Sequence, residues 1–236
     1  MHMDRRQFVK NLGLGTASLS MGSLVTASSC APSGDSSLKQ NVKEGEDGQF
    51  LFIGDDIAIA QTEYGKVQGY LLNHVYTFLG VPYGADTSGK NRFMPPQKPE
   101  PWADVRPAVF YGNTAPQRME NRWPNNYGTF ADHWNYWDVS EDCLYLNVWT
   151  PGIADGKKRP VLVWLHGGGF TNGSGIEQDG YHGENISREG DIVFCSINHR
   201  LGPIGFSDLS GVGGEAYKDS GNVGMLDIIA ALRWVH

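Results

Sequence analysis

Val161-Leu162-Val163-Trp164-Leu165-His166-Gly167-Gly168-Gly169-Phe170 is the stretch that decides the fold. Five apolar residues without alternation predict a strand buried on both faces, as in a parallel sheet. Three glycines follow at once. Glycine turns with φ > 0 without steric cost and lets bare N–H groups approach a bound atom. Such a turn can hold the oxyanion of a tetrahedral intermediate, cradle a phosphate, or simply bend. A phosphate cradle wants the glycines at a helix start, often with lysine nearby. Here Phe170-Thr171-Asn172-Gly173-Ser174-Gly175 follows, which is poor helix and disfavours the cradle; the oxyanion turn and the plain bend stay open at this point.

Around this stretch, strand and helix alternate. Strands are predicted at Leu144–Trp149, Val161–Leu165 and Ile192–Ile197. A short helix is predicted at Glu184–Glu189, closed by Gly190. Asn222–Val235 carries Val223, Leu226, Ile229, Ala230 and Trp234 near the helical period. The alternation implies an α/β fold with a mostly parallel sheet and helices on its faces. Upstream, Leu51–Ile53, Ile57–Ala60, Lys66–Leu71 and Val75–Leu79 read as a small antiparallel meander with turns at Gly65 and Asn73-His74. Residues 80–118 are Pro- and Gly-rich. Residues 119–139 hold Trp123, Tyr127, Phe130, Trp134, Tyr136 and Trp137, a loop dense enough in aromatics to form a pocket wall.

The first residues differ in kind. Asp4-Arg5-Arg6-Gln7-Phe8-Val9-Lys10 is similar to a twin-arginine export signal, followed by a weakly apolar segment too polar to span a bilayer stably. The strict pattern has Ser or Thr where Asp4 stands. Cys30 follows Ala27-Ser28-Ser29, a loose lipoprotein-processing site in which Ala27 replaces the usual Leu; lipid anchoring and simple cleavage both stay open. The domains are therefore an export signal over 1–29, a polar flexible linker over 30–50, and a globular body over 51–236. The expected location is outside the cytoplasm: periplasm, cell surface or medium.

Formal net charge is −7, and because residues 1–29 carry +2 the remainder carries −9. An acidic body argues against nucleic acid as a partner. The three cysteines Cys30, Cys143 and Cys195 have no metal-ligand spacing, and no H-E-x-x-H is present among the histidines. No metal and no cofactor are implied. Cys195, in an apolar run, reads as a buried thiol.

Four motifs in order now resemble one family. Glu141-Asp142-Cys143-Leu144-Tyr145-Leu146-Asn147-Val148-Trp149-Thr150-Pro151 is similar to the signature of the type-B carboxylesterases, which include the cholinesterases. His166-Gly167-Gly168-Gly169-Phe170 resembles their oxyanion loop, and Asn198-His199-Arg200-Leu201-Gly202-Pro203-Ile204-Gly205-Phe206 their N-Y-R-L-G-x-x-G-F stretch. Phe78-Leu79-Gly80-Val81-Pro82-Tyr83-Gly84 and Asn91-Arg92-Phe93 resemble two upstream elements. The resemblance runs over about residues 60–236.

It implies the N-terminal part of an α/β-hydrolase fold and hydrolysis of small-molecule carboxylic esters by a serine nucleophile through an acyl-enzyme. It places the oxyanion donors on the Gly168 and Gly169 amides, with Gly167 supporting the turn. It also suggests two structural ion pairs, Arg92 with Glu141 and Arg200 with Asp227. The matching cysteine partner of Cys143 is Ala115 here, so Cys143 is expected to be a free thiol. No serine stands in G-x-S-x-G: Ser207 follows Gly205 but meets Leu209, and Ser174 is preceded by Asn172. His166, His182 and His199 precede the position of any elbow, so they are expected to be structural rather than basic. The chain thus reads as an N-terminal fragment without nucleophile, acid or base, inactive alone. A catalytically inactive binding or adhesion protein and an amide hydrolase are the competing uses of the same fold.

Two changes test the targeting reading. Replacing Arg5 and Arg6 by Lys should leave the protein in the cytoplasm, seen by fractionation. Palmitate labelling that disappears in Cys30→Ala would establish the lipid anchor; unchanged extracytoplasmic yield of the Lys-Lys variant would remove the twin-arginine route.

Overall fold

The computed structural model describes residues 51–118 and 137–236. The segments read as export signal and linker, Cys30 and most of the aromatic stretch lie outside the described residues. No helix among the described residues is long and apolar enough to cross a membrane.

Among the described residues there are nine strands: β1 Leu51–Phe52, β2 Ile59–Gln61, β3 Lys66–Gln68, β4 Tyr70–Leu72, β5 Val75–Pro82, β6 Arg106–Pro107, β7 Tyr145–Thr150, β8 Val161–Leu165 and β9 Val193–Ile197. The helices are α1 Glu184–Gly190, α2 Gly202–Phe206, α3 Ser210–Gly213 and α4 Val223–Val235, with 3-10 turns between them. A six-stranded sheet has the order β1-β4-β5-β7-β9-β8, and β2-β3-β6 form a smaller one.

The expected meander is divided. The segment 66–71 breaks at Gly69, whose N–H leaves the ladder to reach the Ala58 carbonyl at 2.9 Å. Its first half, β3, pairs with β2 in the small sheet, while β4 pairs antiparallel with β5 in the large one. Strand β5 also runs three residues further than its alternation indicated, with a register shift against β7 between Phe78 and Val81. Two bonds hold that irregularity: Leu79 N–H donates to the Ala108 carbonyl at 2.8 Å, and Gly80 N–H to Asn147 Oδ1 at 2.9 Å.

The large sheet is mixed rather than mostly parallel. Within it, among the described residues, only β8 and β9 run parallel, in register from Val161↔Val193 to Leu165↔Ile197. Strand β9 is buried, as a central strand should be. Strand β8 is not: Val161, Leu162 and Leu165 are 47%, 38% and 48% exposed. Among the described residues it pairs with β9 alone, which leaves these side chains uncovered.

The side-chain period of two divides the core. Leu146, Val148, Cys195 and Ile197 face Leu201, Ile228 and Ala231 on one side. Trp149 and Phe194 face the other with Val75 and Leu79. Helix α1 packs on the second side, where Ser187 Oγ donates to the Trp149 carbonyl at 3.0 Å. Its left-handed cap is Asp191 (φ 47°, ψ 45°), one residue beyond the expected Gly190; aspartate is among the few non-glycine residues that visit this region readily.

Helix α4 is turned from its predicted seam. Val223 is buried, but Ile229 is 41% exposed, and the buried stripe is Val223, Gly224, Asp227, Ile228 and Ala231. The cause is Asp227, a charged residue that faces inward to Arg200. Arg200 Nη2 lies 2.6 Å from Asp227 Oδ1 and Nε 2.8 Å from Oδ2, with side chains 1% and 0% exposed. The Arg200 backbone N–H adds a third bond to Oδ2 at 3.1 Å, and Nη1 donates to the Met94 carbonyl at 2.8 Å. Burial pushes the Asp227 carboxyl up, and the guanidinium pulls it back. Arg92 and Glu141 also meet, at 2.8 Å, but at the surface, where Arg92 is 48% exposed and such a pair contributes little. Cys143 and Cys195 are both free and buried; burial pushes both thiols up, Cys195 to about 12.

Asp227→Asn should cost the whole protein about 3–5 kcal/mol, because Arg200 keeps a buried charge without its counterion. A urea titration checks this, and a midpoint indistinguishable from the parent would mean that the pair contributes nothing to stability.

Candidate functional site

Strand β8 delivers the chain directly into the glycine turn. His166 closes the strand, 8% exposed, and Gly167, Gly168 and Gly169 emerge exposed. Gly168 and Gly169 have φ of +100° and +64°. A Cβ on Gly168 would stand 2.2 Å from both the backbone and side-chain oxygens of Asn172, so only glycine fits. The turn folds back on itself: the Gly168 carbonyl accepts from Thr171 and Asn172 N–H, each at 3.4 Å, and from Thr171 Oγ1 at 3.1 Å.

With that carbonyl occupied, the Gly168 and Gly169 amides donate to no acceptor among the described residues. Two neighbouring N–H groups at an exposed turn can serve an anionic oxygen that arrives from outside.

The far side of the turn is held by side-chain amides. Gln117 Oε1 accepts from Gly173 N–H at 2.8 Å, and Gln117 Nε2 donates to the Gly173 carbonyl at 2.9 Å. Asn198 Oδ1 accepts from Gly175 N–H at 2.8 Å, and its Nδ2 donates to the Asn113 carbonyl at 3.0 Å. Asn198 is itself fixed through its carbonyl, which accepts from the buried Tyr83 hydroxyl at 2.6 Å. Burial pushes the Tyr83 phenol well up, so it remains a donor. A third attachment is the Gly202 N–H on the Phe170 carbonyl at 2.6 Å, beside a Phe170–Phe206 ring contact of 4.6 Å. A cleft of about 510 Å³ opens between Pro116–Arg118, Thr171–Asn172 and Gly202–Pro203.

The histidines pack. The His166 and His199 rings stack 4.9 Å apart at 8°, with Nδ1 of each turned to a backbone carbonyl, Gly167 at 2.8 Å and Arg200 at 2.9 Å. Burial holds His199 below the usual imidazole range, and His182, edge-on to Trp149 at 5.1 Å, likewise.

The three glycines named from sequence thus form one turn, and the two ion pairs lie apart from it as scaffold. Sequence reasoning did not single out Gln117 or Asn198 as attachments. Asn198 carried a faint signal, a polar residue capping an apolar strand; Gln117, 56 residues from Gly173, carried none.

A model of the carboxylesterase family matches residues 56–236. Para-nitrobenzyl esterase of Bacillus subtilis (strain 168) is 41% identical over 180 residues, which is 75% of this chain and 34% of that protein. Phenmedipham hydrolase of Pseudarthrobacter oxydans is 43% identical over 177 residues, 75% of this chain and 33% of that protein. Among solved structures, an esterase from anaerobic Clostridium hathewayi, which can hydrolyse aliphatic aromatic polyesters, aligns with a TM-score of 0.72 and 40% identity over 79% of this chain and 36% of that one. The chain spans about a third of the length of the curated relatives it matches. It belongs to the carboxylesterase family, and its architecture is part of an α/β-hydrolase fold.

The turn makes a graded prediction about stability. Gly173→Ala should cost more than Gly169→Ala. At Gly173 (φ +113°) a Cβ would stand 2.2 Å from the Gly167 carbonyl and 2.3 Å from His166 Nδ1, whereas Gly169 opens into free space. The second change should cost about 1–2 kcal/mol, the left-handed penalty alone. Equal unfolding midpoints for the two variants would contradict this packing.

Proposed function

We infer that the protein to which these residues belong hydrolyses carboxylic esters through a serine acyl-enzyme, and that this chain supplies the oxyanion loop. The observation that carries the reading is the exposed Gly168-Gly169 turn at the end of β8, with two neighbouring amides left unused. The serine Oγ attacks the acyl carbon as its proton passes to the general base, and the π electrons of the C=O bond move onto the carbonyl oxygen. That oxygen, now negative, takes hydrogen bonds from Gly168 and Gly169, while Gly167 shapes the approach. A fixed donor of this kind stabilises the transition state by about 3–4 kcal/mol, because it is already aimed before charge develops.

The nucleophile, acid and base are supplied by residues outside this chain, since no serine here stands in G-x-S-x-G. His166 belongs to the scaffold, as its stacking on His199 supports. The substrate is a small ester, in keeping with the esterases among the relatives. Export, through the Arg5-Arg6 signal, puts that activity outside the cytoplasm.

The whole protein should turn over p-nitrophenyl esters and lose that activity to a serine-directed organophosphate. The 236-residue chain expressed alone should show no turnover above background. Turnover by this chain alone, abolished by changing His166 or one of its serines, would overturn the division of labour. A whole protein inert towards a panel of esters would hand the fold to a binding role.

A further inference from the structure

An oxyanion loop works only if its donors are fixed before charge appears. In this molecule what fixes them is unusual in kind. The loop cannot be buried under apolar side chains, because Gly168 and Gly169 must remain reachable. Among the described residues strand β8, which leads into it, pairs with β9 alone. The far end of the loop is anchored by the Gln117 side chain.

We propose that Gln117 is a positioning residue for the oxyanion loop: its amide clamps Gly173 and so sets where the Gly168 and Gly169 N–H groups point. This rests on the ester-hydrolase reading above. The clamp is two-sided. Oε1 accepts from Gly173 N–H at 2.8 Å while Nε2 donates to the Gly173 carbonyl at 2.9 Å and to the Ala115 carbonyl at 3.1 Å. No other side-chain type offers a donor and an acceptor at that reach; asparagine is one methylene shorter, and glutamate lacks the donor when ionised.

Gly173 transmits the constraint. It holds φ +113° and sits so close to the start of the loop that a Cβ would fall 2.2 Å from the Gly167 carbonyl. The peptide that Gln117 grips is thus packed against the first glycine of the turn. Asn172, between Gly173 and the donors, meets Gly168 through its N–H at 3.4 Å. A Gly173 that drifts carries Asn172 with it, and the Gly168 carbonyl loses one of its three donors. A displacement of about an ångström in positioned groups can cost on the order of a hundredfold in rate.

Gln117→Ala and Gln117→Glu, made in the whole protein, test this with three readouts. In Gln117→Ala, kcat for p-nitrophenyl acetate should fall about tenfold to a hundredfold while KM stays within about twofold, because the loop acts on the transition state rather than the ground state. Hydrogen exchange of peptides covering 166–175 should accelerate, with circular dichroism unchanged. Gln117→Glu adds a pH signature. Ionised, its carboxylate faces the Gly173 carbonyl without a donor; protonated, it regains one. The ratio of its kcat to that of the parent should therefore rise as pH falls from about 8 to about 5.

Unchanged kcat in Gln117→Ala, or a rise in KM alone, would overturn the proposal, as would unchanged exchange. If the Ala variant does not fold, the pH-dependent ratio in the Glu variant decides: a rise supports the clamp and a flat ratio overturns it. If the parent hydrolyses no ester, the functional reading falls, and the exchange comparison alone judges the clamp, faster exchange supporting it and equal exchange overturning it.

Discussion

The buried pair Arg200–Asp227 is the constraint on which the other placements depend. One guanidinium and its own backbone N–H take both oxygens of Asp227, so α4 can lie in only one rotation about its axis. The remaining arm of the guanidinium reaches the Met94 carbonyl, 106 residues earlier in the chain. Such a pair is weak evidence for stability, since the desolvation of two charges offsets much of their attraction. Its consequence is geometric. An apolar contact in place of Asp227 would tolerate rotation of α4; three directed bonds to one carboxylate do not. The exposure of Ile229 follows, because with Asp227 inward the helical period carries position 229 outward.

From Arg200 the constraint passes to the glycine turn. Two residues on, Gly202 N–H donates to the Phe170 carbonyl; two residues back, Asn198 takes the Gly175 N–H. The segment 198–202 therefore grips α4 through Arg200 and the turn through its neighbours. The turn itself has almost no apolar cover. It is held by amide-to-backbone bonds, which suits a segment that has to keep its own N–H groups unused. The Gly168 carbonyl is engaged within the loop, and the Gly168 and Gly169 amides donate to no acceptor among the described residues.

Much of this was legible from residue pattern alone, and the exceptions share a cause. Strand β8 was read from its residues with the limits the structure gives, and β7, β9, α1 and α4 to within a residue at each end, because a continuous apolar run or a helical period is a local property. What failed was everything decided by a distant partner. The break at Gly69 depends on the Ala58 carbonyl, the irregularity in β5 on Asn147, the rotation of α4 on Arg200, and the exposure of β8 on how many strands flank it. The short helices α2 and α3, of five and four residues, have too few positions to show a period. The glycines of the turn were legible because their chemistry resides in one tripeptide. Gln117 was not, because its role exists only once Gly173 has been brought to it. The pairing of Arg200 with Asp227 was named from the family resemblance, and no local rule joins positions 27 residues apart.

The turn that follows β8 is held at its start, middle and end by separate attachments. Strand β8 is fixed by a single parallel ladder to β9, in register Leu165↔Ile197 at its end. Continued one step past the ladder, that register sets His166 opposite Asn198; its imidazole stacks on that of the next residue, His199, at 4.9 Å. Each ring also turns Nδ1 to a backbone carbonyl next in sequence, so each rotation is fixed locally before the rings meet. A stacked pair of this kind prolongs the contact between the two strands by one step beyond their last hydrogen bond, at the point where the backbone must leave the sheet. The glycines can then be flexible in type yet fixed in place. Their start is set by β9 through the histidine stack, their middle by Gly202, and their end by Gln117 and Asn198. A cationic imidazole at His199 would lose both the low-polarity surroundings that hold it neutral and a favourable stacking partner, so the arrangement favours the neutral form on packing grounds as well as on burial.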